Sequence, residues 1–207
     1  MTYDVNYALK NGLQNHQDAD PIIVLLHGYG ANEADLPDII DHIGLQLPWV
    51  SIRGGLSVGP GAFAWFPLST PGLPNVDDVV AGTEAIWTWI DANLPADAPL
   101  IVIGFSQGGL MASQLLRTRP QRIKDTVILA GFSLQGEQPG DAILKANKPR
   151  VLYCRGVEDR VIQPVAIDRT YEWLKDHAKA SVPVYDGLGH SIDLRVLRDV
   201  AAHLASK

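Results

Sequence analysis

The stretch from Pro99 to Met111, PLIVIGFSQGGLM, constrains the fold of this chain more than any other segment. Residues 100–105 are apolar apart from Gly104, carry no charge, and lead directly into Ser106. Such a run is typical of a parallel strand buried on both faces, because helices cover both sides of a parallel sheet. The small and polar residues of 107–119 then favour a helix. We therefore expect Ser106 at a turn between a buried strand and a helix.

Two glycines flank this serine in the pattern G-x-S-x-G. Because Gly104 and Gly108 have no side chains, the strand and the helix can approach closely and form a strained turn that exposes the serine hydroxyl. The turn also brings the backbone N–H of Gln107 and the positive end of the helix beside that hydroxyl, where an oxyanion would form. A glycine-flanked loop serine is the alternative. The strand before Ser106 and the helix after it favour a nucleophile.

Length and charge narrow the class of protein. The 207 residues suit one domain, residues 1–207, and no apolar run is long enough to span a bilayer, so stable membrane insertion is not expected. A net charge of -6 argues against nucleic acid as the main partner. The single cysteine, Cys154, excludes an internal disulfide and is expected to be a small core residue. The single cysteine suits a reducing compartment, and the N-terminus lacks the apolar core of a secretory signal. We therefore expect a cytoplasmic protein.

Strands and helices alternate along the rest of the chain, which predicts a mostly parallel sheet with helices on both faces. Residues 54–76, rich in Gly, Pro and Ser, are expected to form an ordered functional loop, and residues 136–149 a mixed connection. The other predicted strands are 2–9, 21–28, 48–54, 125–132, 149–156 and 181–187, and the other predicted helices are 34–44, 77–94, 164–178 and 192–206.

A serine nucleophile needs a general base, and His190 is the best candidate among six histidines. It lies in a glycine-rich loop between the last predicted strand and the last predicted helix, and sites in parallel sheets gather where strands end. His27 ends an earlier strand and is expected to brace its loop through a hydrogen bond. The remaining histidines are expected in a turn or on solvated helix positions: His16, His42, His177 and His203.

The base in turn needs an orienting acid from another such loop, between the serine and the histidine in chain order. The segment RGVEDRVIQP supplies Glu158 and Asp159 after a predicted strand. We select Asp159 and keep Glu158 as the alternative. The order Ser, Asp, His is that of the α/β-hydrolases.

A second oxyanion donor is expected from a loop after an earlier strand. In LLHGYGANEADL, Gly30 lets the backbone turn inward, so we assign the donor to the backbone N–H of Tyr29, paired with that of Gln107. Apolar residues near these loops are candidates for an acyl pocket, although each alone is also explained by core packing: Trp65, Phe66, Leu68, Leu73, Phe132, Leu134, Val161 and Ile162. No metal-ligand spacing appears, so neither a metal nor a cofactor is expected.

Five segments together resemble the phospholipase/carboxylesterase family of α/β-hydrolases, which includes the acyl-protein thioesterases. They follow the family's order over almost the whole chain: LLHGYGANEADL, AWF at 64–66, GFSQGG at 104–109, GVEDRVI at 156–162 and GLGHS at 187–191. The resemblance implies Ser106, Asp159 and His190 as a catalytic triad, Tyr29 and Gln107 as oxyanion-hole positions, and a compact cytoplasmic esterase without a large cap domain. One departure is Pro67, where the family commonly has an acid after the Trp-aromatic pair.

The sequence therefore predicts a serine carboxylesterase that hydrolyses short to medium acyl esters through an acyl-serine intermediate. Its partner is a small-molecule ester or thioester, and a homodimer is one option for its assembly. Acyl-protein thioesterase and lysophospholipase are alternatives with the same machinery. A non-catalytic protein that uses the α/β-hydrolase fold to bind a ligand is the alternative from another class, because a fold does not determine a function.

Overall fold

The computed structural model describes residues 3–16, 20–68, 70 and 72–206. Within these residues the strands are β1 (Ala8–Asn11), β2 (Ile22–Leu26), β3 (Trp49–Ile52), β4 (Leu56–Gly59), β5 (Ala62–Ala64), β6 (Leu100–Phe105), β7 (Ile123–Leu129), β8 (Arg150–Gly156), β9 (Lys179–Ser181) and β10 (Val184–Tyr185). The α-helices are α1 (Asp38–Ile43), α2 (Val76–Asn93), α3 (Gln107–Thr118), α4 (Asp141–Asn147), α5 (Pro164–His177) and α6 (Leu194–Ala205).

Eight of these strands form one sheet in the order β1-β3-β2-β6-β7-β8-β10, and β9 pairs with the first half of β8. All pairs in this sheet are parallel except β1 with β3 at one edge. The strand that leads to Ser106, β6, lies between β2 and β7 in the interior of the sheet. The predicted fold class, a mostly parallel sheet between helices, is confirmed.

Alternate residues of the central strands pack into two separate cores, as expected of a sheet covered on both faces. On one face, Ile23 and Leu25 of β2 join the apolar residues of α1 and α6. On the other face, Val24 and Leu26 join those of α2, α3 and α5. Because the central strands are buried on both faces, their carboxyl ends are held rigidly, and the loops that follow them share one edge of the sheet.

The N-terminal strand was predicted at 2–9 but is β1, which begins at Ala8. Residue 2 lies outside the described residues. The alternation before Ala8 comes from other contacts: the Tyr3 hydroxyl donates to Asp78 at 3.0 Å, and the Arg53 guanidinium stacks on the Tyr7 ring. A sequence can therefore alternate between apolar and polar residues without pairing as a strand, because its side chains pack against a helix or a cation instead.

Two predicted connections contain regular structure. The segment 54–76 includes the hairpin β4–β5, and the segment 136–149 includes α4. Asp141 of α4 is buried and accepts hydrogen bonds from Arg117, so a charge pair anchors this short helix. His203, expected to be solvated, instead lies with its Nε2 2.6 Å from Asp125 Oδ1. In the part of the chain that the structure describes, no helix combines the length and the hydropathy needed to span a bilayer.

Candidate active site

Ser106 occupies a strained turn between β6 and α3. Its φ is 55° and its ψ is -115°, a backbone conformation that non-glycine residues seldom adopt. The two flanking glycines are required by contact distances. A Cβ on Gly104 would lie 2.0 Å from the Gly108 carbonyl oxygen, and a Cβ on Gly108 would lie 2.0 Å from the Leu26 carbonyl oxygen. No side chain fits at either position, so the pattern around Ser106 follows from close backbone packing.

A continuous chain of hydrogen bonds runs from this serine to a carboxylate. The Nε2 atom of His190 lies 2.8 Å from Ser106 Oγ, and its Nδ1 lies 2.8 Å from Asp159 Oδ2. A carboxylate accepts from Nδ1–H, which leaves the neutral ring with a free Nε2 lone pair facing the hydroxyl. The structure thus brings together the three predicted residues, although they are far apart in the sequence.

Asp159 is held from its other side as well. Its Oδ1 accepts hydrogen bonds from the backbone N–H groups of Val161 at 2.9 Å and Ile162 at 3.1 Å, and its side chain is 2% exposed. Glu158, the alternative acid, has an exposed side chain, while its backbone N–H donates to the Leu188 carbonyl. Asp159 is therefore the carboxylate that the local backbone directs toward His190.

Two backbone N–H groups are available near Ser106 for an oxyanion. Gln107 is the first residue of α3, so its backbone N–H has no acceptor carbonyl within the helix. The loop after β2 carries Tyr29, whose N–H donates no hydrogen bond to any residue that the structure describes. Both neighbours of Tyr29 are fixed, because Gly28 packs on Phe105 and the N–H of Gly30 donates to the Phe63 carbonyl.

The side chain of Gln107 links the nucleophile turn to the segment after β5. Its Oε1 accepts from the Trp65 backbone N–H and its Nε2 donates to the Phe66 carbonyl, both at 2.8 Å, and the residue is only 4% exposed. The ring of Trp65 in turn donates from Nε1 to the His27 carbonyl. These contacts connect residues about forty positions apart, so no local sequence pattern could have identified them.

His27 braces the loop that carries Tyr29. Its Nδ1–H donates to the Gly28 carbonyl at 2.7 Å, and its Nε2 accepts from the Gly54 N–H at 2.9 Å. Burial lowers the pKa of this histidine, which favours the neutral ring that both contacts require. His27 therefore acts as a structural hydrogen-bonding residue in this geometry, and His190 is the histidine whose ring lies against Ser106.

A cavity of about 420 Å³ opens beside Ser106 and His190. Its walls are largely apolar, which suits an acyl chain. Of the residues expected at an acyl pocket, the lining includes Phe66, Leu68, Phe132, Val161 and Ile162. We refer to it below as the acyl cavity.

Three expected pocket residues do not line the acyl cavity. Trp65 is 1% exposed and packs in the core, so its role here is the hydrogen bond to the His27 carbonyl. Leu134 is also buried in the core, and Leu73 lies outside the lining on an exposed segment. The lining further includes residues that carry no sequence signal for binding: Thr70, Gly72, Pro74, Phe105 and Gln163. Residue 67, the proline that departs from the family pattern, is not part of this lining.

Other chemically reactive groups lie apart from this site. Cys154 is buried, and burial raises the pKa of its thiol to about 12, so a reactive thiolate is disfavoured there. Among the described residues, no three His, Cys, Asp or Glu side chains are grouped as metal ligands.

The family assignment agrees with this geometry. A model of the family described as Phospholipase/Carboxylesterase matches residues 13–207, so the chain belongs to the phospholipase/carboxylesterase family. It is accordingly a carboxylic ester hydrolase, which argues against the non-catalytic alternative.

Solved structures show the same fold at low identity. A carboxylesterase from Mesorhizobium loti has a TM-score of 0.75 at 22% identity, with 93% of this chain and 90% of that chain covered. A carboxylesterase from Bacillus cereus has a TM-score of 0.79 at 17% identity, with coverages of 94% and 91%. SOBER1 from Arabidopsis thaliana has a TM-score of 0.73 at 19% identity, with coverages of 90% and 98%.

Proposed function

We propose that this chain is a single-domain serine carboxylesterase that hydrolyses short to medium acyl esters through an acyl-serine intermediate. The observation that carries the proposal is the hydrogen-bond chain from Ser106 through His190 to Asp159, with both links at 2.8 Å, at the mouth of an apolar cavity. A serine, a histidine and a carboxylate in this arrangement form the standard apparatus for acyl transfer.

In the first half of the reaction, Ser106 Oγ forms a bond to the ester carbonyl carbon as its proton passes to His190 Nε2. Asp159 stabilises the resulting imidazolium and keeps the ring in its orientation. When the tetrahedral intermediate collapses, the carbon–oxygen bond to the alcohol breaks, and His190 returns the proton to the leaving alcohol. Water then repeats these steps on the acyl-serine, which releases the carboxylic acid and restores the serine.

The charge that develops on the carbonyl oxygen needs donors that are already in place. The backbone N–H groups of Tyr29 and Gln107 are proposed for this role. Their support is the free N–H of Tyr29 in a braced loop and the position of Gln107 at the start of α3. The helix end adds a favourable electrostatic field.

The proposed substrates are small-molecule esters, and the acyl cavity is the proposed site of the acyl chain. Thioester cleavage on acyl proteins and lysophospholipid hydrolysis would use the same machinery. The exposed side chains of Leu68 (67%) and Val161 (58%) at the cavity leave room for a longer chain to extend outward. Hydrogen bonds from Arg169 and Gln135 to the backbone carbonyls of Gly72 and Pro74 hold one wall of the cavity in place, which supports the shorter acyl groups.

Covalent labelling tests the nucleophile. A fluorophosphonate should label Ser106 stoichiometrically and abolish hydrolysis of nitrophenyl butyrate, because the base beside this hydroxyl activates it. Ser106→Ala should remove both the label and the activity. Ser57→Ala, at an exposed serine of the β4–β5 hairpin, should change neither. Labelling that persists in Ser106→Ala would place the nucleophile elsewhere and refute the proposal.

A further inference from the structure

A second and more open depression also has His190 in its lining. This groove, of about 400 Å³, is lined by residues around α1, by the loop after His190 and by Leu197 of α6. We call it the alcohol groove. Of the residues that the structure describes, Phe105 and His190 alone line both this groove and the acyl cavity. Their rings are 5.0 Å apart between centroids and form a common wall.

The position of His190 between the acyl cavity and the alcohol groove indicates which part of the ester each of them holds. In the proposed reaction the leaving oxygen receives its proton from His190 Nε2, so the alcohol part of the ester must lie against this ring. The acyl chain is assigned to the acyl cavity. The adjoining groove is a second space that the same ring faces, and we assign the alcohol to it.

The groove has an apolar floor and an acidic rim. Leu36, Ile39 and Ile192 contribute apolar surface, while Asp35 and Asp38 are exposed at the edge. Neither carboxylate forms an ion pair or a side-chain hydrogen bond with any residue that the structure describes. Their charges therefore face the groove and the solvent without an ion pair among the described residues to neutralise them.

Among the described residues, His42 is the one titratable side chain that lines the groove besides Asp35, Asp38 and His190. His42 lies one turn after Asp38, and its Nδ1–H donates to the Asp38 backbone carbonyl at 2.9 Å. The carboxylates of Asp35 and Asp38 are not engaged by this contact. Two carboxylates against a single exposed imidazole leave the rim acidic.

We infer that the alcohol groove holds the leaving group, and that it prefers an alcohol with an apolar body and a positive charge over one with a negative charge. The inference rests on the proposed acyl-serine mechanism, because that mechanism puts the leaving oxygen at His190. The apolar floor takes the body of the alcohol. The two carboxylates attract a cationic group and repel an anionic one.

Three butyrate esters of similar size test this preference: those of choline, of 3,3-dimethylbutanol and of 2-hydroxyethanesulfonate. Each kcat/KM is divided by the rate constant for hydroxide hydrolysis of the same ester, which removes differences in intrinsic reactivity. At low ionic strength the choline ester should exceed the sulfonate ester by about tenfold or more, with the neutral ester between them. The gap should narrow as salt is added.

Charge-removing variants locate the source of the preference. Asp35→Asn and Asp38→Asn should each reduce the ratio between cationic and anionic esters, and the double variant should bring it to about threefold or less. Asp41→Asn is the matched control, because Asp41 is exposed on the same helix but does not line the groove. It removes the same formal charge and should leave the ratio unchanged.

The outcomes separate this inference from the proposed mechanism. Equal normalised rates for the three esters overturn the inference, and so does a preference that survives in the double variant or falls equally in Asp41→Asn. In those cases fluorophosphonate labelling of Ser106 still stands as support for the mechanism. Loss of that labelling specificity would instead refute the mechanism and this inference with it.

Discussion

At the scale of single residues, the orientation of Asp159 is the feature on which the proposed reaction depends. One carboxylate oxygen is held by two backbone N–H groups, which leaves the other for His190. The carboxylate therefore meets the imidazole in a fixed direction, with little freedom for its side chain. This arrangement lets the acid act on the tautomer of the base as well as on its charge.

Asp159→Asn tests that role. Asparagine keeps the shape but cannot enforce the same tautomer, and in a serine protease triad the same change costs about four orders of magnitude in kcat. We expect a loss of about several hundredfold or more in kcat for nitrophenyl butyrate. Glu158→Gln, at an exposed neighbour, should retain nearly full activity because solvent screens its charge.

Circular dichroism of both variants should match the unmodified protein, which would separate lost catalysis from lost folding. If Glu158→Gln were the inactive enzyme and Asp159→Asn the active one, Glu158 would replace Asp159 as the acid.

Sequence patterns could predict Ser106 and Asp159 as candidates because each follows a strand that is recognisable by its apolar run. His190 was predicted from its glycine-rich loop, and the strand predicted before it at 181–187 is shorter in the structure, where β10 has two residues.

The side-chain role of Gln107 could not be predicted in the same way. Its partners at Trp65 and Phe66 are reached only through the packing of α3 against the segment after β5. Long-range polar contacts of this kind leave no periodic signal in the chain.

At the scale of elements, strands and helices were predictable where burial imposes a recognisable pattern of apolar residues. They were less predictable outside the buried part of the sheet. The buried strands β2, β6, β7 and β8 were all located from apolar runs. The hairpin β4–β5 was not, because its Gly and Pro residues indicate a loop. Strand β5 of the hairpin is instead held by backbone contacts to the loop after β2, such as the hydrogen bond from the Phe63 N–H to the Ala31 carbonyl.

The segment after this hairpin forms one wall of the acyl cavity, and side chains from elsewhere tie it down. Arg169 donates from Nη2 to the Gly72 carbonyl at 3.0 Å and from Nε to the Ser133 carbonyl at 2.8 Å. Gln135 donates to the Pro74 carbonyl at 3.1 Å. This wall of the acyl cavity is therefore held in place by hydrogen bonds to its backbone carbonyls.

A fixed wall predicts a limit on acyl length. In a series of nitrophenyl esters from acetate to palmitate, kcat/KM should rise with chain length while methylenes enter the cavity, by up to about threefold to fourfold per methylene. It should reach a maximum at an intermediate length and fall beyond it. Assays below the critical micelle concentration provide the control. A steady rise to palmitate, together with cleavage of palmitoylated peptides, would favour the acyl-protein thioesterase alternative.

At the scale of the whole molecule, the candidate site joins loops from two different parts of the sheet. Tyr29 and Ser106 follow β2 and β6, which are interior strands, while Asp159 and His190 follow β8 and β10. The strand β10 has two residues and, among the described strands, pairs with β8 alone. The loops of the acid and the base are also bonded to each other, since the Glu158 N–H donates to the Leu188 carbonyl.

This arrangement has a consequence for how the protein loses activity. Opening fluctuations at a sheet edge cost less free energy than those of interior strands, and bonded neighbours open as one unit. The loops of Asp159 and His190 should therefore unfold locally as one unit, while the turn at Ser106 stays intact. In a urea titration, turnover should decline at lower concentration than far-ultraviolet circular dichroism, and amides of 184–190 should exchange hydrogen faster than those of β6. Coincident transitions would show that catalysis and the fold are lost in a single cooperative step.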